Sequence, residues 1–278
     1  MGGFDGRVAL VTGAARGVGA SCASLLSADG AAVGMIDVAG RPPPAPFAYP
    51  LASGDDMAGV LKLIDAAGGR AVAKEADVGR ADELEPAIKE IAAELGPIEL
   101  AVLAAGVRGV AAIDQMSDEH WAASVDANLH GVYNSLRVLL PSMVDNGFGR
   151  VVVMVGEEAR RGAPNGSHCA AAGWAAVGLA KSVALEVADS GVSINVVAAG
   201  PTDTPSQHDR AAVELLAGPG AGRDAARHAL ETRNPYSSAY VDPSAVAETV
   251  AFLLARKDPA MTGGVLDVSN GLVALNSV

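Results

Sequence analysis

Residues 12–19 of the chain read TGAARGVG. This stretch follows the apolar run RVALV (residues 7–11) and begins a segment with helical apolar spacing. Glycines at positions 13, 17 and 19 permit a tight turn and let a pyrophosphate approach the N-terminus of the following helix. A strand, a glycine-rich turn and a helix in this order predict the first unit of a dinucleotide-binding α/β fold.

The rest of the chain alternates in the same way, with short runs rich in Val, Ile, Leu and Ala between segments of helical spacing. Such alternation is typical of a parallel sheet buried on both faces. We predict one domain over residues 1–278, a Rossmann-type doubly wound parallel sheet of about seven strands with helices on both faces. The predicted strands lie in RVALVTG, AAVGMID, RAVAKEADV, IELAVLAAG, GRVVVMVG, VSINVVAAG and GGVLDVS, and the predicted helices span 17–30, 55–67, 82–95, 118–146, 168–189 and 244–256.

Two segments interrupt the alternation. Residues 39–54 (AGRPPPAPFAYPLASG) contain prolines that forbid both a helix and a central strand, and residues 201–243 are rich in Pro, Gly and polar residues. We predict loops at the ligand-binding edge of the sheet, the first a proline-rich insertion and the second a substrate lid.

Composition excludes several classes of partner. The 278 residues are 50% hydrophobic, enough for one sizeable core, and the formal net charge of −12 repels nucleic acid and anionic lipid. No apolar run approaches a membrane span, and the first residues, MGGFDGRVALVTG, have no basic region followed by an apolar run and a cleavage site, so we expect no signal peptide. Cys22 and Cys169 are too few for a disulfide framework and have no metal-ligand spacing. We predict a cytoplasmic protein with a small-molecule substrate, no bound metal and no nucleic-acid or membrane partner.

Asp37 ends the second predicted strand. A carboxylate at this point accepts both ribose hydroxyls of an adenosine and repels a 2′-phosphate, which favours NAD over NADP. Arg16, inside the glycine-rich turn, argues weakly for NADP. Repulsion between like charges at a ribose contact is hard to offset, whereas an exposed arginine can simply face solvent. We therefore predict NAD.

These motifs resemble those of the short-chain dehydrogenases/reductases along nearly the whole chain. TGAARGVG has the family's TGxxxGxG spacing, and ADV (76–78) matches the family's adenine-contacting segment. LAAG (103–106) stands where the family has NNAG at the end of a strand, and DANLHGVY (126–133) contains the family's helix asparagine. Three further matches follow in order, at residues 149–156, 178–205 and 262–271. The resemblance implies cofactor contacts from Thr12, Gly13, Arg16, Gly17, Val18, Gly19, Asp37, Asp77, Val78, Ala105, Gly106, Thr202 and Thr204.

The insertion after Asp37 is similar to that of one actinobacterial branch, the mycofactocin-associated dehydrogenases, whose NAD tends to stay bound. That branch reads HYxAAKxxxxGL where this chain reads HCAAAGWAAVGL (residues 168–179). The register places Cys169 at the family tyrosine, Gly173 at the family lysine and Gly156 at the family serine. Of the family's four catalytic residues, only the asparagine, Asn128, is present.

The replacements remove the usual proton chemistry. In the family the tyrosine protonates the carbonyl oxygen, the lysine ammonium raises its acidity, and the serine holds the same oxygen. Glycine can do none of this, and the short thiol of Cys169 is better explained as filling part of the vacated space. The candidate catalytic residues are Asn128, Glu157, His168 and Cys169; we also expect Glu157, His168 and His208 to converge over the nicotinamide position.

Three classes of function stay open. The first is an oxidoreductase that transfers a hydride with NAD and obtains its proton from water, the substrate or an unusual residue. The second is a non-redox dehydratase, cyclase or isomerase of secondary metabolism, whose bulky substrate uses a pocket enlarged by three small residues. The third is a catalytically silent partner of an active homologue. The resemblance also implies a homotetramer or dimer built on helices 118–146 and 168–189 and on the last strand.

Overall fold

The computed structural model describes residues 3–38, 40–41, 47 and 49–276, apart from the side chains of Pro205, His208, Leu275 and Asn276. Residues 39, 42–46 and 48 of the predicted insertion therefore lie outside the described residues.

One parallel sheet of seven strands forms the centre of the fold, in the order β3-β2-β1-β4-β5-β6-β7. The order reverses at β1, so that β1 lies between β2 and β4. This arrangement confirms the predicted doubly wound sheet. The strands are β1 (Val8–Thr12), β2 (Ala32–Asp37), β3 (Ala71–Glu75), β4 (Leu100–Leu103), β5 (Gly149–Gly156), β6 (Val192–Ala199) and β7 (Val265–Val268).

Helices cover both faces of the sheet because the strands are apolar on both sides. Leu10 of β1 packs on one face with residues of the helices at 81–95, 131–145 and 167–186. Its neighbours Ala9 and Val11 pack on the other face with the helices at 17–28 and 243–254. Successive strand residues point to opposite faces, which explains this division. The helices are α1 (Gly17–Ala28), α2 (Gly54–Ala66), α3 (Ala81–Leu95), α4 (Asp118–Val125), α5 (Gly131–Asp145), α6 (Ser167–Glu186), α7 (Arg210–Ala217), α8 (Arg223–Arg233) and α9 (Pro243–Leu254). Within the described residues, none of them is long and apolar enough to cross a membrane.

Two predicted segments differ from the structure. The helix expected over residues 118–146 is divided by a π-helical turn, Asp126–His130, between α4 and α5. The segment 201–243, predicted as a loop, contains α7 and α8. The two helices have 8 and 11 residues and end at Gly218 and Asn234. The Pro and Gly residues around them favour a loop, although both helices are amphipathic.

Arg150 lies at the amino-terminal end of β5, at the edge of the sheet opposite the carboxyl ends of the strands. Its side chain is 1% exposed at the start of β5, and its guanidinium donates hydrogen bonds of 2.7–2.8 Å to the carbonyls of Gly149, Gly191, Arg256 and Lys257. It also lies 4.3 Å from the ring centroid of Phe148. One buried cation thus joins the β5 edge to the loops before β6 and after α9.

Candidate active site

A cavity of about 740 Å³ opens at the carboxyl ends of the strands, where the order of the sheet reverses. Crevices at this point of a doubly wound sheet bind ligands. Its walls include every predicted cofactor residue except Thr12: Gly13, Arg16, Gly17, Val18, Gly19, Asp37, Asp77, Val78, Ala105, Gly106, Thr202 and Thr204.

The glycine-rich turn is shaped as a cradle. Gly13 and Gly17 have positive φ angles of 66° and 56°, a conformation that suits glycine. A Cβ on Gly13 would stand 2.8 Å from the carbonyl oxygen of Ala104, and a Cβ on Gly19 would stand 2.7 Å from the carbonyl carbon of Gly13. Glycine at both positions therefore lets the turn pack closely on its own backbone and on the segment after β4. The turn lines the cavity at the start of α1, and the helix N-terminus there favours an anion.

Thr12 is expected to contact the cofactor, but its side chain is directed into the protein. Its side chain is buried at the end of β1, and its hydroxyl accepts hydrogen bonds from the N–H groups of Ala104 and Ala105 at 3.1 and 3.2 Å. Thr12 does not line the cavity; it holds the end of β4 against the glycine-rich turn.

Asp37 ends β2 at the cavity wall. Its carboxylate accepts the N–H groups of Ala15 at 3.0 Å and Val38 at 2.8 Å. Burial raises the pKa of Asp37, and these two hydrogen bonds oppose the rise. The backbone therefore fixes the orientation of the carboxylate at the position where an adenosine ribose is expected.

Arg16 does not simply face solvent. Its guanidinium donates to the carbonyl of Pro50 at 2.7 Å and lies 3.9 Å from a carboxylate oxygen of Asp56. The residue thus attaches the glycine-rich turn to the end of the proline-rich insertion.

The segment after β3 is fixed by two hydrogen bonds, one within the segment and one from α5. The Asp77 carboxylate accepts the N–H of Gly79 at 2.9 Å, and the carbonyl of Val78 accepts a hydrogen bond of 2.9 Å from the Asn134 side chain.

Asn128 lies in the π-helical turn, a kind of distortion that is frequent at functional sites. Its side chain accepts the N–H of Val107 at 2.8 Å and donates to the carbonyl of Val107 at 2.9 Å. Both polar atoms of the side chain are thus bound to the backbone just after β4, and Asn128 holds that part of the wall.

Gly156, Cys169 and Gly173 all line the same end of the cavity. The space that larger side chains would need is partly occupied. A Cβ on Gly156 would stand 2.6 Å from the carboxyl carbon of Glu158, and a Cβ on Gly173 would stand 2.8 Å from the Cβ of Ala159. The 3₁₀ turn Glu157–Ala159 therefore packs into the room left by both glycines, and the pocket is less enlarged than the sequence alone suggests.

This packing predicts the effect of Gly173→Ala. Overpacking against Ala159 costs about 1–3 kcal/mol, and the better helix propensity of alanine returns about 1 kcal/mol. Gly178 lies in the same helix with no atom within 4 Å of an added Cβ, so Gly178→Ala keeps the propensity gain alone. We expect chemical denaturation to show Gly173→Ala less stable than Gly178→Ala by about 1–3 kcal/mol; equal stabilities would contradict the close fit of Ala159.

Glu157 lines the cavity but is already paired. Its carboxylate lies 2.6 Å from the Arg161 guanidinium, with both side chains almost entirely buried. Burial raises the pKa of Glu157, and the charge of Arg161 opposes the rise.

His168 is not brought to the cavity. It is fully buried, and its ring centroid lies 5.0 Å from that of His120 in α4. Neither ring nitrogen has a hydrogen-bond partner in the described part of the chain. Burial, followed by the neighbouring His120, lowers the pKa of His168 to about 4, so the ring is neutral at neutral pH. The expected convergence of Glu157 and His168 is therefore wrong, and the side chain of His208 lies outside the described residues.

Cys169 is buried at 4% exposure. Burial raises the pKa of its thiol, and the charge of Glu158 raises it further. The group is thus a neutral thiol at neutral pH.

Sequence reasoning missed three residues of the wall. The Tyr49 hydroxyl accepts the N–H of Arg108 at 2.9 Å, and the Arg108 guanidinium donates to Gln207 at 2.8 Å. Tyr49 belongs to the proline-rich insertion and Gln207 to the predicted lid, so no periodic pattern points to them. Among the described residues, no group of His, Cys, Asp or Glu could hold a metal ion.

Comparison with known proteins gives one consistent family. A family model described as short chain dehydrogenase matches residues 7–214. An uncharacterized oxidoreductase of Mycobacterium tuberculosis is 32% identical over 275 residues, 97% of each chain, and a (-)-trans-carveol dehydrogenase of Rhodococcus erythropolis is 29% identical over 96% of this chain and 97% of that one.

Solved structures give the same result. The carveol dehydrogenase of Mycobacterium avium in complex with NAD matches with a TM-score of 0.93 and 27% identity, over 99% of this chain and 100% of that one. An actinorhodin polyketide ketoreductase with NADPH matches with a TM-score of 0.85 and 29% identity, over 96% and 97%.

Proposed function

Because the chain belongs to the short-chain dehydrogenase family, we propose that it is an NAD-dependent oxidoreductase of a small organic alcohol or ketone that works without the family's serine, tyrosine and lysine. The observation that carries the proposal is the single cavity that joins the glycine-rich turn and Asp37 to Gly156 and Cys169. A site that had lost its cofactor would have no need of this continuity.

The residues present fit NAD. Gly13, Gly17 and Gly19 line the cavity at the N-terminus of α1, which suits the pyrophosphate, and the Asp37 carboxylate suits two ribose hydroxyls. Asp77 and Val78 lie where the adenine is expected. When bound, NAD supplies the group that accepts or donates a hydride.

The substrate end of the cavity favours a compact, largely apolar molecule. Val107, Ala122, Ala123, Met154 and Val155 contribute to its walls, and apolar walls with few polar groups are typical of small-molecule sites. Carveol, which names two of the similar proteins, is the first alcohol to test.

We also place the chain close to the mycofactocin-associated branch, because the insertion follows Asp37 and its residues Tyr49, Leu51 and Ala52 line the cavity. In that case NAD remains bound through purification, and denaturing the purified protein releases it.

Assembly into a homo-oligomer belongs to the same proposal. Trp121 on α4, Tyr133 on α5 and Trp174 on α6 are 45%, 47% and 50% exposed. Aromatic side chains exposed on neighbouring helices suit a protein interface.

Replacing Asp37 tests the cofactor directly. We expect Asp37→Asn to weaken NAD binding about tenfold or more, because hydrogen bonds to a charged group contribute about 1.5–3 kcal/mol. The discrimination against NADP should fall, since the repulsion of a 2′-phosphate is gone. Calorimetric titration with both nucleotides in both redox states measures this, with Asp55→Asn on the exposed start of α2 as the matched control. Equal NAD affinity in the two variants would contradict the role of Asp37.

Turnover separates this proposal from the two other classes. Nicotinamide absorbance should change when the NAD-loaded protein meets a suitable alcohol. Conversion of a substrate with no absorbance change would favour a non-redox enzyme, and a stable complex with an active homologue and no turnover would favour a silent partner; either result overturns the proposal.

A further inference from the structure

Glu158 occupies the position at which the family's serine side chain would begin. Its carboxyl carbon is 2.6 Å from the point where a Cβ on Gly156 would stand, and both carboxylate oxygens are equally close to that point. The family serine holds the reacting oxygen from this place. A carboxylate that covers Gly156 is therefore within reach of the oxygen of a substrate in the same cavity, whose wall it shares with Cys169.

The Glu158 carboxylate is also available. No hydrogen bond or ion pair joins it to another side chain in the described part of the chain, whereas the adjacent Glu157 is held by Arg161 at 2.6 Å. Glu158 is only partly buried, so water can exchange protons with it. Sequence reasoning selected Glu157 as a candidate; the geometry favours its neighbour.

The other proton-bearing groups of this wall are poorly suited. Cys169 is a neutral thiol whose pKa is raised by burial and by Glu158. Tyr49 is buried, burial raises its pKa to about 12, and its hydroxyl accepts the N–H of Arg108. A base that works near neutral pH needs a lower pKa than a buried phenol has.

We propose that Glu158 is the proton-transferring residue of this site, in place of the family's tyrosine. The inference rests on the proposed function. In alcohol oxidation the carboxylate takes the hydroxyl proton, so the O–H bond of the substrate breaks and an O–H bond forms on Glu158. The carbinol carbon loses its hydrogen as a hydride, with two electrons, to oxidised NAD, and the C=O bond forms. Glu158 then releases its proton to water; ketone reduction reverses each step.

The test compares three variants of the full-length protein. Glu158→Gln keeps the shape of the side chain and removes the base, Glu158→Ala makes room for a small carboxylate, and Glu248→Gln removes an exposed carboxylate on α9, outside the residues that line the cavity. Each is measured for thermal unfolding, for NAD affinity by calorimetry, and for kcat with carveol or the best alcohol found.

We expect both Glu158 variants to fold and to bind NAD like the wild type, while kcat falls about 10²–10⁴-fold, the usual contribution of a general acid or base. Added formate should restore part of kcat in Glu158→Ala and none in Glu158→Gln, because only the alanine variant has space for it. Glu248→Gln should keep its kcat. A role in positioning alone would not give rescue by formate.

A second measurement needs neither cofactor nor substrate. The charge of Glu158 raises the pKa of the Cys169 thiol, so Glu158→Gln should move the pH profile of Cys169 alkylation by iodoacetamide to lower pH. Cys22 is buried with a pKa raised to about 12, so it should stay unmodified and alkylation should report Cys169 alone. An unchanged profile would contradict the placement of the carboxylate beside the thiol.

The two proposals fail differently. A wild-type protein that binds no NAD, or binds it and oxidises no alcohol, overturns the proposed function and with it the role of Glu158. An active wild type whose Glu158→Gln variant keeps its kcat overturns the role of Glu158 alone. So does a larger loss in Tyr49→Phe than in Glu158→Gln, because the phenol would then be the proton donor.

Discussion

Replacing Gly19 by alanine will abolish measurable NAD binding. The added Cβ would overlap the carbonyl group of Gly13, whose carbon is 2.7 Å from that point. The atoms it meets are backbone, so no side chain can swing aside, and the turn that forms the pyrophosphate cradle must move. We expect a loss of affinity of at least about a hundredfold, equal to about 2.7 kcal/mol, measured by calorimetric titration of the nucleotide-free protein.

Gly59→Ala is the matched control for this prediction. Gly59 lies in α2, where an added Cβ would have no atom within 4 Å. The same chemical change should leave NAD affinity intact and raise stability by up to about 1 kcal/mol, the helix-propensity difference between the two residues. Wild-type NAD affinity in Gly19→Ala would mean that the turn yields without cost and that its close approach to Gly13 is not needed.

The second large effect is on stability. Arg150→Met leaves four carbonyls, those of Gly149, Gly191, Arg256 and Lys257, without their guanidinium donors. Methionine fills much of the volume but offers no hydrogen bond. A buried hydrogen-bonding group left without a partner typically costs about 1–3 kcal/mol, and with four carbonyls affected we expect the free energy of unfolding in denaturant to fall by about 3 kcal/mol or more.

Arg7→Met provides the comparison. The Arg7 guanidinium also lies over the Phe148 ring, at 4.1 Å from its centroid, but its side chain is 39% exposed and is paired with Glu99. Exposed pairs contribute about 0–1 kcal/mol. Similar losses in the two variants would show that the contact with Phe148, rather than the four carbonyls, determines the contribution of Arg150.

The sequence was sufficient for the fold and for which residues line the cavity around the glycine-rich turn, because both depend on local patterns. Apolar strands buried on both faces, the spacing of the three glycines, and a carboxylate at the end of β2 are each visible in a short window of residues. Thr12 is the exception: its position in the motif is right, but its hydroxyl is used within the protein, by the N–H groups of Ala104 and Ala105.

The end of the cavity near Gly156, Cys169 and Gly173 could not be predicted as well, because its residues depend on the direction of neighbouring side chains. His168 and Cys169 are consecutive residues of α6, so their side chains point about 100° apart. When Cys169 and Gly173 face the cavity, His168 must face α4. Glu157 and Glu158 pose the same problem in a 3₁₀ turn with about 120° between residues, and the pairing of Glu157 with Arg161, which the sequence does not reveal, decides between them.

The close packing of the turn at residues 157–159 makes a return to the family's residues dependent on the order of mutations. A lysine at position 173 meets the Cβ of Ala159, and a serine at position 156 meets the carboxylate of Glu158. The Cβ of Ala159 is fixed to the turn, whereas the Glu158 carboxylate ends a flexible side chain that can rotate away. A lysine at position 173 therefore needs a change at Ala159 first, while a serine at position 156 needs only a new rotamer of Glu158, and the effects of substitutions at positions 159 and 173 are epistatic.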